Sequence, residues 1–190
     1  KPFGYGKPAE AAPVEPAVTK RAGKLVDQYR PQTISDLHGQ DWATDTLTAF
    51  LEEPQSGAFL FCGPTGTGKT SAAIALAADL GVAVEHAECG GLHQISSGEQ
   101  TGETVKAAVN GLWCRPMIGS GWRVLIVNEA DCITSNAAFK WLDVLENLPP
   151  RCLVIFTTND ADKLPRRLVD RCETVQFVGG ALVLRAAMEK

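Results

Sequence analysis

The stretch Gly63-Pro64-Thr65-Gly66-Thr67-Gly68-Lys69-Thr70 decides how this chain is interpreted, because it fits the pattern G-x-x-x-x-G-K-[ST]. Glycines in such a loop let the backbone curl around phosphate, so that successive N–H groups point inward. Lys69 offers a positive charge for the β- and γ-phosphates, and Thr70 offers a hydroxyl ligand for Mg²⁺. The motif therefore predicts binding of a nucleoside triphosphate.

The flanking sequence favours this interpretation over a chance match in a glycine-rich turn. Residues 58–62 (AFLFC) form a short apolar run, typical of a strand that is buried on both faces. The alanine-rich residues 68–80 follow the motif and predict a helix that ends at Gly81. The positive dipole end of that helix would point at the bound phosphates.

Strand and helix patterns alternate along the rest of the chain. We expect further strands at residues 82–84, 123–127, 152–158 and 174–178, and further helices at residues 41–51, 103–113 and 135–147. Ser135 is expected to cap the last helix, with Phe139 facing inward. Strands separated by helices predict an α/β fold with a parallel sheet, arranged as a three-layer α/β/α P-loop NTPase.

Composition limits the domain organisation and the class of protein. The 190 residues carry a net charge of −4, with 45% apolar and 21% charged residues, which is ordinary for a globular domain. No apolar run reaches the roughly 18 residues of a membrane span, so no membrane partner is expected. The mild acidity argues against a domain that is basic all over, but it leaves room for a local basic patch that binds nucleic acid.

Three segments are predicted. Residues 1–24 are rich in proline and alanine and are interpreted as a flexible tail or linker. Residues 25–179 are predicted to form the ATP-binding core, and residues 180–190 to begin a further helix that the chain cuts short. Because the first residue is Lys1 and not Met, we expect a piece of a longer chain. Six widely spaced cysteines without a C-x-x-C pair are interpreted as free thiols in a reducing, cytoplasmic compartment.

Polar residues follow two of the predicted strands, where ligands bind in parallel sheets. Glu129 is suited to orient and deprotonate a water, and Asn128 to hold a Mg²⁺-bound water through its amide oxygen. Asn159 ends the next strand, where it would contact the γ-phosphate or the attacking water; simple turn chemistry is the alternative. Arg171 is either a surface ion-pair former or a residue that reaches the γ-phosphate of a neighbouring subunit.

With these motifs in this order, the chain resembles the AAA+ ATPases, and within them the clamp-loader subunits (replication factor C small subunits and the bacterial gamma/tau subunit). Residues 63–70 match Walker A, and residues 124–131 resemble Walker B. Asn159 falls on the sensor-1 polar residue, and Arg171 on the arginine of the S-R-C motif, which acts on the ATP of a neighbour. Residues 29–40 (YRPQTISDLHGQ) are similar to the Y-R-P-x-x-F-x-D-x-x-G-Q motif that borders the adenine.

The resemblance implies an ATPase with ATP and Mg²⁺ as its cofactors, acting in DNA replication. It assigns Tyr29, Arg30 and Pro31 to the nucleotide, in addition to the phosphate loop. It makes Glu129, Asn159 and Arg171 the catalytic residues. It also implies other AAA+ subunits in a homo- or hetero-oligomeric ring, a sliding clamp and primer–template DNA as partners, and a lid domain that is absent from this chain or only begun.

Two departures from the family pattern keep alternatives open. Asn128 stands where Walker B has an aspartate, so a negative charge facing Mg²⁺ is missing and hydrolysis should weaken. This favours a second hypothesis, a hydrolysis-deficient structural or switch subunit. Asp170 replaces the serine of S-R-C. A third hypothesis is an AAA+ remodeller of protein or DNA, but no aromatic-hydrophobic pore loop is evident between Gly90 and Gly121, where Trp113 and Trp122 are interpreted as packing residues.

Overall fold

The computed structural model of the protein describes residues 30–86 and 89–179. The chain divides into two compact units, Lys1–Arg30 and Pro31–Lys190. The predicted tail at residues 1–24 and the predicted start of a lid helix at residues 180–190 lie outside the described residues, so these segment boundaries stay predictions.

The described part of the larger unit contains a five-stranded parallel sheet. Its strands are β1 (Gly57–Cys62), β2 (Leu92–Ile95), β3 (Arg123–Val127), β4 (Cys152–Thr158) and β5 (Glu173–Gln176). They lie in the order β2-β3-β4-β1-β5, and each neighbouring pair is parallel. Because these strands are parallel, each connection must return from the carboxyl end of one strand to the amino end of the next. The intervening helices make this return.

The helices are α1 (Asp41–Glu52), α2 (Lys69–Asp79), α3 (Gly102–Trp113), α4 (Ser135–Glu146) and the single turn α5 (Arg166–Val169). Within the described ranges, no helix has the length and apolar character needed to cross a bilayer. Helix α2 ends as predicted, with Gly81 at a φ of +77° and its N–H bonded to the carbonyl of Ala78 at 2.8 Å.

Two hydrophobic cores lie on opposite faces of the sheet. Successive residues of β4 alternate between them: Leu153 and Ile155 belong to the core that α1 and α2 cover, and Val154 and Phe156 to the core that α3 and α4 cover. On the second face, Trp141 of α4 packs edge-on against Phe156 with ring centroids 5.1 Å apart. The predicted three-layer α/β/α fold is confirmed.

The strand predicted at residues 82–84 is wrong. Val82 is buried in the first core, but the chain turns there, with the N–H of Val84 bonded to the carbonyl of Val82 at 2.9 Å. The strand that occupies this place in the sheet is β2, which begins at Leu92. The apolar residues at 82–84 are therefore explained by packing beneath the end of α2 and not by pairing in the sheet.

The cap and the inward face of α4 also differ from the prediction. The cap is Thr134, not Ser135, because the Thr134 side chain accepts a hydrogen bond from the N–H of Ala137 at 3.3 Å. The buried face of α4 includes Ala137 and Trp141. Phe139 falls on the other side of the helix and is 66% exposed, so its predicted inward orientation is wrong.

The two tryptophans that precede β3 have different environments. Trp122 is buried against the first core, as predicted. Trp113 is 61% exposed, so its interpretation as a packing residue is wrong. Met117 and Ile118, in the connection between α3 and β3, are also exposed.

The six cysteines, all within the described residues, are free thiols. Cys114 and Cys132 are exposed, whereas Cys152 is fully buried. Burial raises the pKa of Cys152 to about 11 and the pKa of Cys172 to about 12. These two thiols are therefore protonated at neutral pH and pack as small apolar groups.

Candidate active site

The carboxyl ends of three neighbouring strands, β3, β4 and β1, open into one cleft of about 240 Å³. This edge of a parallel sheet is the usual place for a ligand. The cleft lies between the phosphate-loop motif that follows β1 and the polar residues that end β3 and β4. Its lining consists of Thr65, Gly66, Gly68, Lys69, Thr70, Ser71, Glu129, Thr157, Thr158 and Asn159.

The phosphate loop (residues 63–70) needs glycine for two physical reasons. At Gly63, with a φ of +155°, a Cβ atom would lie 2.2 Å from the carbonyl oxygen of Phe177. At Gly68 the backbone is left-handed, with a φ of +90°, and this residue caps the N-terminus of α2. The N-terminal end of α2 therefore faces the cleft, where its unpaired N–H groups favour an anion.

The ammonium group of Lys69 is held inside the loop. Its Nζ donates to the carbonyl oxygens of Gly63 at 2.7 Å and Pro64 at 2.8 Å, and to Oδ1 of Asn159 at 3.0 Å. Lys69 is only 9% exposed, and burial lowers its pKa below the usual lysine value, although the charges of Asp131 and Glu129 oppose the shift. A buried cation whose hydrogen-bond partners, within the described ranges, are all neutral oxygens is well placed to gain from an anionic ligand.

Two oxygen atoms that were predicted to serve Mg²⁺ meet beside the loop. The hydroxyl of Thr70 donates to Oδ1 of Asn128 at 3.0 Å. Mg²⁺ prefers oxygen ligands and usually binds through one or two side chains together with substrate phosphates and waters. Thr70 and Asn128 therefore fit an ion that arrives with the triphosphate, although the amide of Asn128 brings no negative charge.

The backbone of Glu129 adopts a left-handed conformation, with φ 51° and ψ 57°. Its N–H donates to Oγ1 of Thr157 at 3.2 Å, which links the ends of β3 and β4. Its carboxylate lines the cleft and accepts a hydrogen bond from the hydroxyl of Ser97. The predicted base thus lies in the same cleft as Lys69 and Asn159.

The end of β4 is tied to the residues after β3 by a second link. The hydroxyl of Thr158, which is 1% exposed, lies 3.2 Å from Oδ1 of Asp131 and 3.0 Å from the carbonyl of Asp160. Such buried, satisfied hydroxyl groups make the strand ends rigid. Asn159 is therefore presented from a fixed position toward Lys69, which argues against a simple turn residue.

Arg171 lies at the amino ends of the strands, whereas the cleft lies at their carboxyl ends. It lines a separate cavity together with Gly57, Leu153 and Glu173, which stand at or next to the amino ends of β1, β4 and β5. Its guanidinium forms an ion pair with Glu146 and donates to the carbonyl of Arg167 at 2.9 Å. The seven residues of β4 span about 20 Å. This distance along the strands excludes a contact between Arg171 and phosphates bound in the cleft of its own chain.

The predicted adenine contacts of Tyr29, Arg30 and Pro31 stay predictions. Tyr29 lies outside the described residues, and Arg30 belongs to the unit Lys1–Arg30. Pro31 begins the larger unit and is not among the cleft-lining residues. Gln40, which closes this motif, exchanges two hydrogen bonds with the backbone of Val178, at 2.8 and 2.9 Å.

Thr157 and Thr158, which precede Asn159 in the same polar strand end, also line the cleft. Sequence analysis missed two further polar side chains that contact Glu129. Ser97 and Gln100 lie in the connection after β2 and contact Glu129. Both residues follow β2, as the predicted site residues follow β3 and β4. The position of β2, placed correctly, is the signal that would identify them.

The loop that encloses a buried ammonium group, the helix N-terminus behind it and the polar strand ends define a P-loop nucleotide-binding protein. The sequence profile described as "ATPase family associated with various cellular activities (AAA)" matches residues 59–179. Since that range is more than half of the 190 residues, the chain belongs to the AAA family of ATPases.

The curated relatives of this chain include replication proteins. The replication factor C small subunit of Archaeoglobus fulgidus is 29% identical over 153 residues, which cover 80% of this chain and 47% of that protein. The DNA polymerase III subunit tau of Bacillus subtilis is 33% identical over 168 residues, which cover 78% of this chain and 30% of that protein. The chain thus spans about half the length of the first relative and less of the second.

Solved structures confirm the fold. A DNA polymerase III gamma subunit-related protein from Thermotoga maritima superimposes with a TM-score of 0.63 at 18% identity, covering 73% of this chain and 46% of that one. The RuvB Holliday junction branch migration motor of the same organism gives a TM-score of 0.61 at 20% identity, covering 85% and 53%.

Proposed function

We propose that this chain is the ATP-binding and ATP-hydrolysing core of a clamp-loader-like AAA+ subunit that acts in DNA replication within a multi-subunit assembly. The observation that carries the proposal is the convergence of Lys69, Glu129 and Asn159 on one cleft beside the N-terminus of α2. The likeness to replication factor C and tau subunits supports the replication role.

Each residue of the cleft has a task in this proposal. The N–H groups of residues 63–70 and the ammonium of Lys69 bind the triphosphate. Glu129 orients a water and takes its proton as it attacks the γ-phosphate. Asn159, which already contacts Lys69, is placed to detect whether a γ-phosphate is present. Thr70 and Asn128 hold Mg²⁺, which, when bound, neutralises charge that develops on the phosphate oxygens.

The direct test is ATP turnover, measured together with nucleotide-dependent assembly of the full chain on primer–template DNA. We expect ATP to promote assembly and DNA to stimulate turnover. A well-folded protein that neither assembles nor hydrolyses ATP under these conditions contradicts the proposal.

We expect Arg171→Ala to lower ATP hydrolysis in the assembly by at least about 100-fold, because an arginine supplied to a neighbouring γ-phosphate is worth about 10³–10⁵ in rate. Nucleotide binding by the same chain should stay within about threefold of the parent, since Arg171 lies across the sheet from its own cleft. Steady-state turnover and calorimetric titration measure the two effects. Arg166→Ala, at a side chain that is 93% exposed, is the matched control and should change neither.

Asn128 favours a second candidate function, a subunit that binds ATP but hydrolyses it poorly and serves as a structural or switch element. An amide at this position keeps the acceptor oxygen that Thr70 contacts but carries no charge. If this candidate holds, Asn128→Asp should raise turnover in the assembly by at least about tenfold and tighten Mg²⁺ binding. Unchanged turnover in Asn128→Asp would favour the hydrolysing subunit.

Protein and DNA partners belong to the proposal as well. Other AAA+ subunits, a sliding clamp and primer–template DNA are the partners it implies. The exposed apolar side chains of Trp113, Met117 and Ile118, at and after the end of α3, support a contact with another protein. A reducing, cytoplasmic setting stays a prediction.

A further inference from the structure

Gln100 is a buried polar residue that the roles above do not use. It lies between β2 and Thr101, the residue that caps α3, and it is 2% exposed. Its Nε2 donates to the carbonyl oxygen of Asn128 and, at 3.0 Å, to the carbonyl oxygen of Glu129. The two hydrogen atoms of one amide therefore bind two consecutive peptide groups at the end of β3.

The backbone that Gln100 contacts adopts an unfavourable conformation. A residue other than glycine seldom adopts the left-handed region in which Glu129 lies, and the surrounding structure must hold it there. Two side chains fix this turn from opposite sides. Thr157 accepts from the N–H of Glu129 at 3.2 Å, and Gln100 donates to the carbonyls before and after that residue's Cα.

The orientation of the Gln100 amide follows from its partners. With the amide reversed, Oε1 would face two carbonyl oxygens, and acceptors repel one another. In the orientation that the partners require, Oε1 is buried and no group in the described part of the chain donates to it. A side chain kept only for packing would not leave a buried acceptor unsatisfied, because an apolar side chain would fill the space without that penalty.

We propose that Gln100 is a positioning residue that holds the left-handed turn of Asn128 and Glu129 and thereby directs the Glu129 carboxylate into the nucleotide cleft. The role in catalysis rests on the proposed ATPase function, whereas the role in holding the turn does not. Gln100 acts from the edge strand β2, so the position of the carboxylate depends on the placement of that strand against β3.

The experiment compares Gln100→Met with Gln94→Met in the full chain, since Gln94 is an exposed glutamine of β2 and receives the same substitution. For Gln100→Met we expect kcat for ATP hydrolysis to fall about 10- to 100-fold, because a displacement of about 1 Å at the reacting centre has an effect of this size. The Kd of a slowly hydrolysed ATP analogue should change less than about threefold, because the phosphate loop follows β1 and not β2 or β3. Gln94→Met should match the parent protein.

Amide hydrogen exchange gives a readout that does not depend on hydrolysis. The N–H of Glu129 bonds to Thr157, and the N–H of Cys132 bonds to the carbonyl of Glu129 at 3.0 Å. In Gln100→Met we expect both amides to exchange at least about tenfold faster, with the core strands unchanged. Equal exchange in Gln100→Met and the parent overturns the proposal whether or not the parent hydrolyses ATP, and a parent without turnover overturns only the proposed function.

Gln100→Glu keeps the proposal testable if Gln100→Met does not fold. This side chain has the same shape, and its carboxyl group can donate to a carbonyl only when it is protonated. The exchange defect, relative to the parent at the same pH, should therefore shrink as the pH is lowered from 8 to about 5.5. Parent-like exchange of Gln100→Glu at pH 8, where its carboxylate cannot donate, would show that volume, and not hydrogen-bond donation, is what the turn requires, and would overturn the proposal.

Discussion

Replacing Glu129 by glutamine is expected to lower the rate of ATP hydrolysis by at least about 100-fold, while ATP affinity stays within about threefold of the parent. The amide has nearly the shape of the carboxylate but cannot take a proton from the attacking water. Glu129 lies at the end of β3, across the cleft from the N–H groups of the phosphate loop. The Glu129→Gln substitution should therefore abolish proton abstraction from the water and leave ATP binding unchanged.

The measurement for this variant combines single-turnover hydrolysis with equilibrium binding. Glu99→Gln is the matched control, because Glu99 is an exposed glutamate in the connection after β2 and does not line the cleft. The control should hydrolyse ATP like the parent. Should Glu129→Gln also hydrolyse ATP at the parent's rate, Glu129 is not the base, and the water must be activated by another group.

The second large effect concerns binding. Lys69→Met should weaken the binding of ATP by at least about 100-fold, because the ammonium supplies a direct charge-assisted contact to phosphate. In the absence of nucleotide, Lys69 contacts two backbone carbonyls and Asn159, so its charge has no anionic partner within hydrogen-bond distance among the residues that the structure describes. Loss of the charge should thus affect the complex far more than the free protein, whose melting temperature is expected to stay near that of the parent.

Calorimetry over a range of pH tests the same ammonium in the unmodified protein. Burial lowers the pKa of Lys69 in the free protein, whereas bound phosphates favour the charged form and raise it. ATP affinity should therefore fall as the pH rises through the pKa of the free protein, below the ordinary lysine range. Lys69→Met should lack this alkaline loss, and Lys106→Met, at an exposed lysine of α3, should retain it. Parent-like affinity in Lys69→Met would contradict the assignment.

The parts of the fold that could be predicted are those with strong local signals. Strands β1, β3 and β4 are continuous apolar runs that are buried almost throughout, and the glycine-rich loop has few alternatives. Strand β2 was not predicted, because two of its four residues (LHQI) are polar and the run is not continuously apolar. An edge strand is buried on fewer sides, so its sequence is less constrained.

The residues that hold the site were harder to predict than the residues that line it. Lys69, Glu129 and Asn159 come from motifs in which residue type and spacing indicate the chemistry. Gln100 and Ser97 have no such pattern, since their contacts with Glu129 exist only because β2 lies beside β3. The position of Arg171 likewise depends on how α5 and β5 return to the amino edge of the sheet.

The separation of Arg171 from the cleft constrains how copies of such a subunit associate. A contact that brings the arginine of one protomer to the nucleotide of the next joins two different surfaces and is therefore head-to-tail. A closed ring of protomers joined in this way completes as many catalytic centres as it has members. An open arc completes one fewer, because the nucleotide of the protomer at one end has no neighbouring arginine. The two terminal protomers of such an arc therefore differ from each other, even when all protomers have the same sequence.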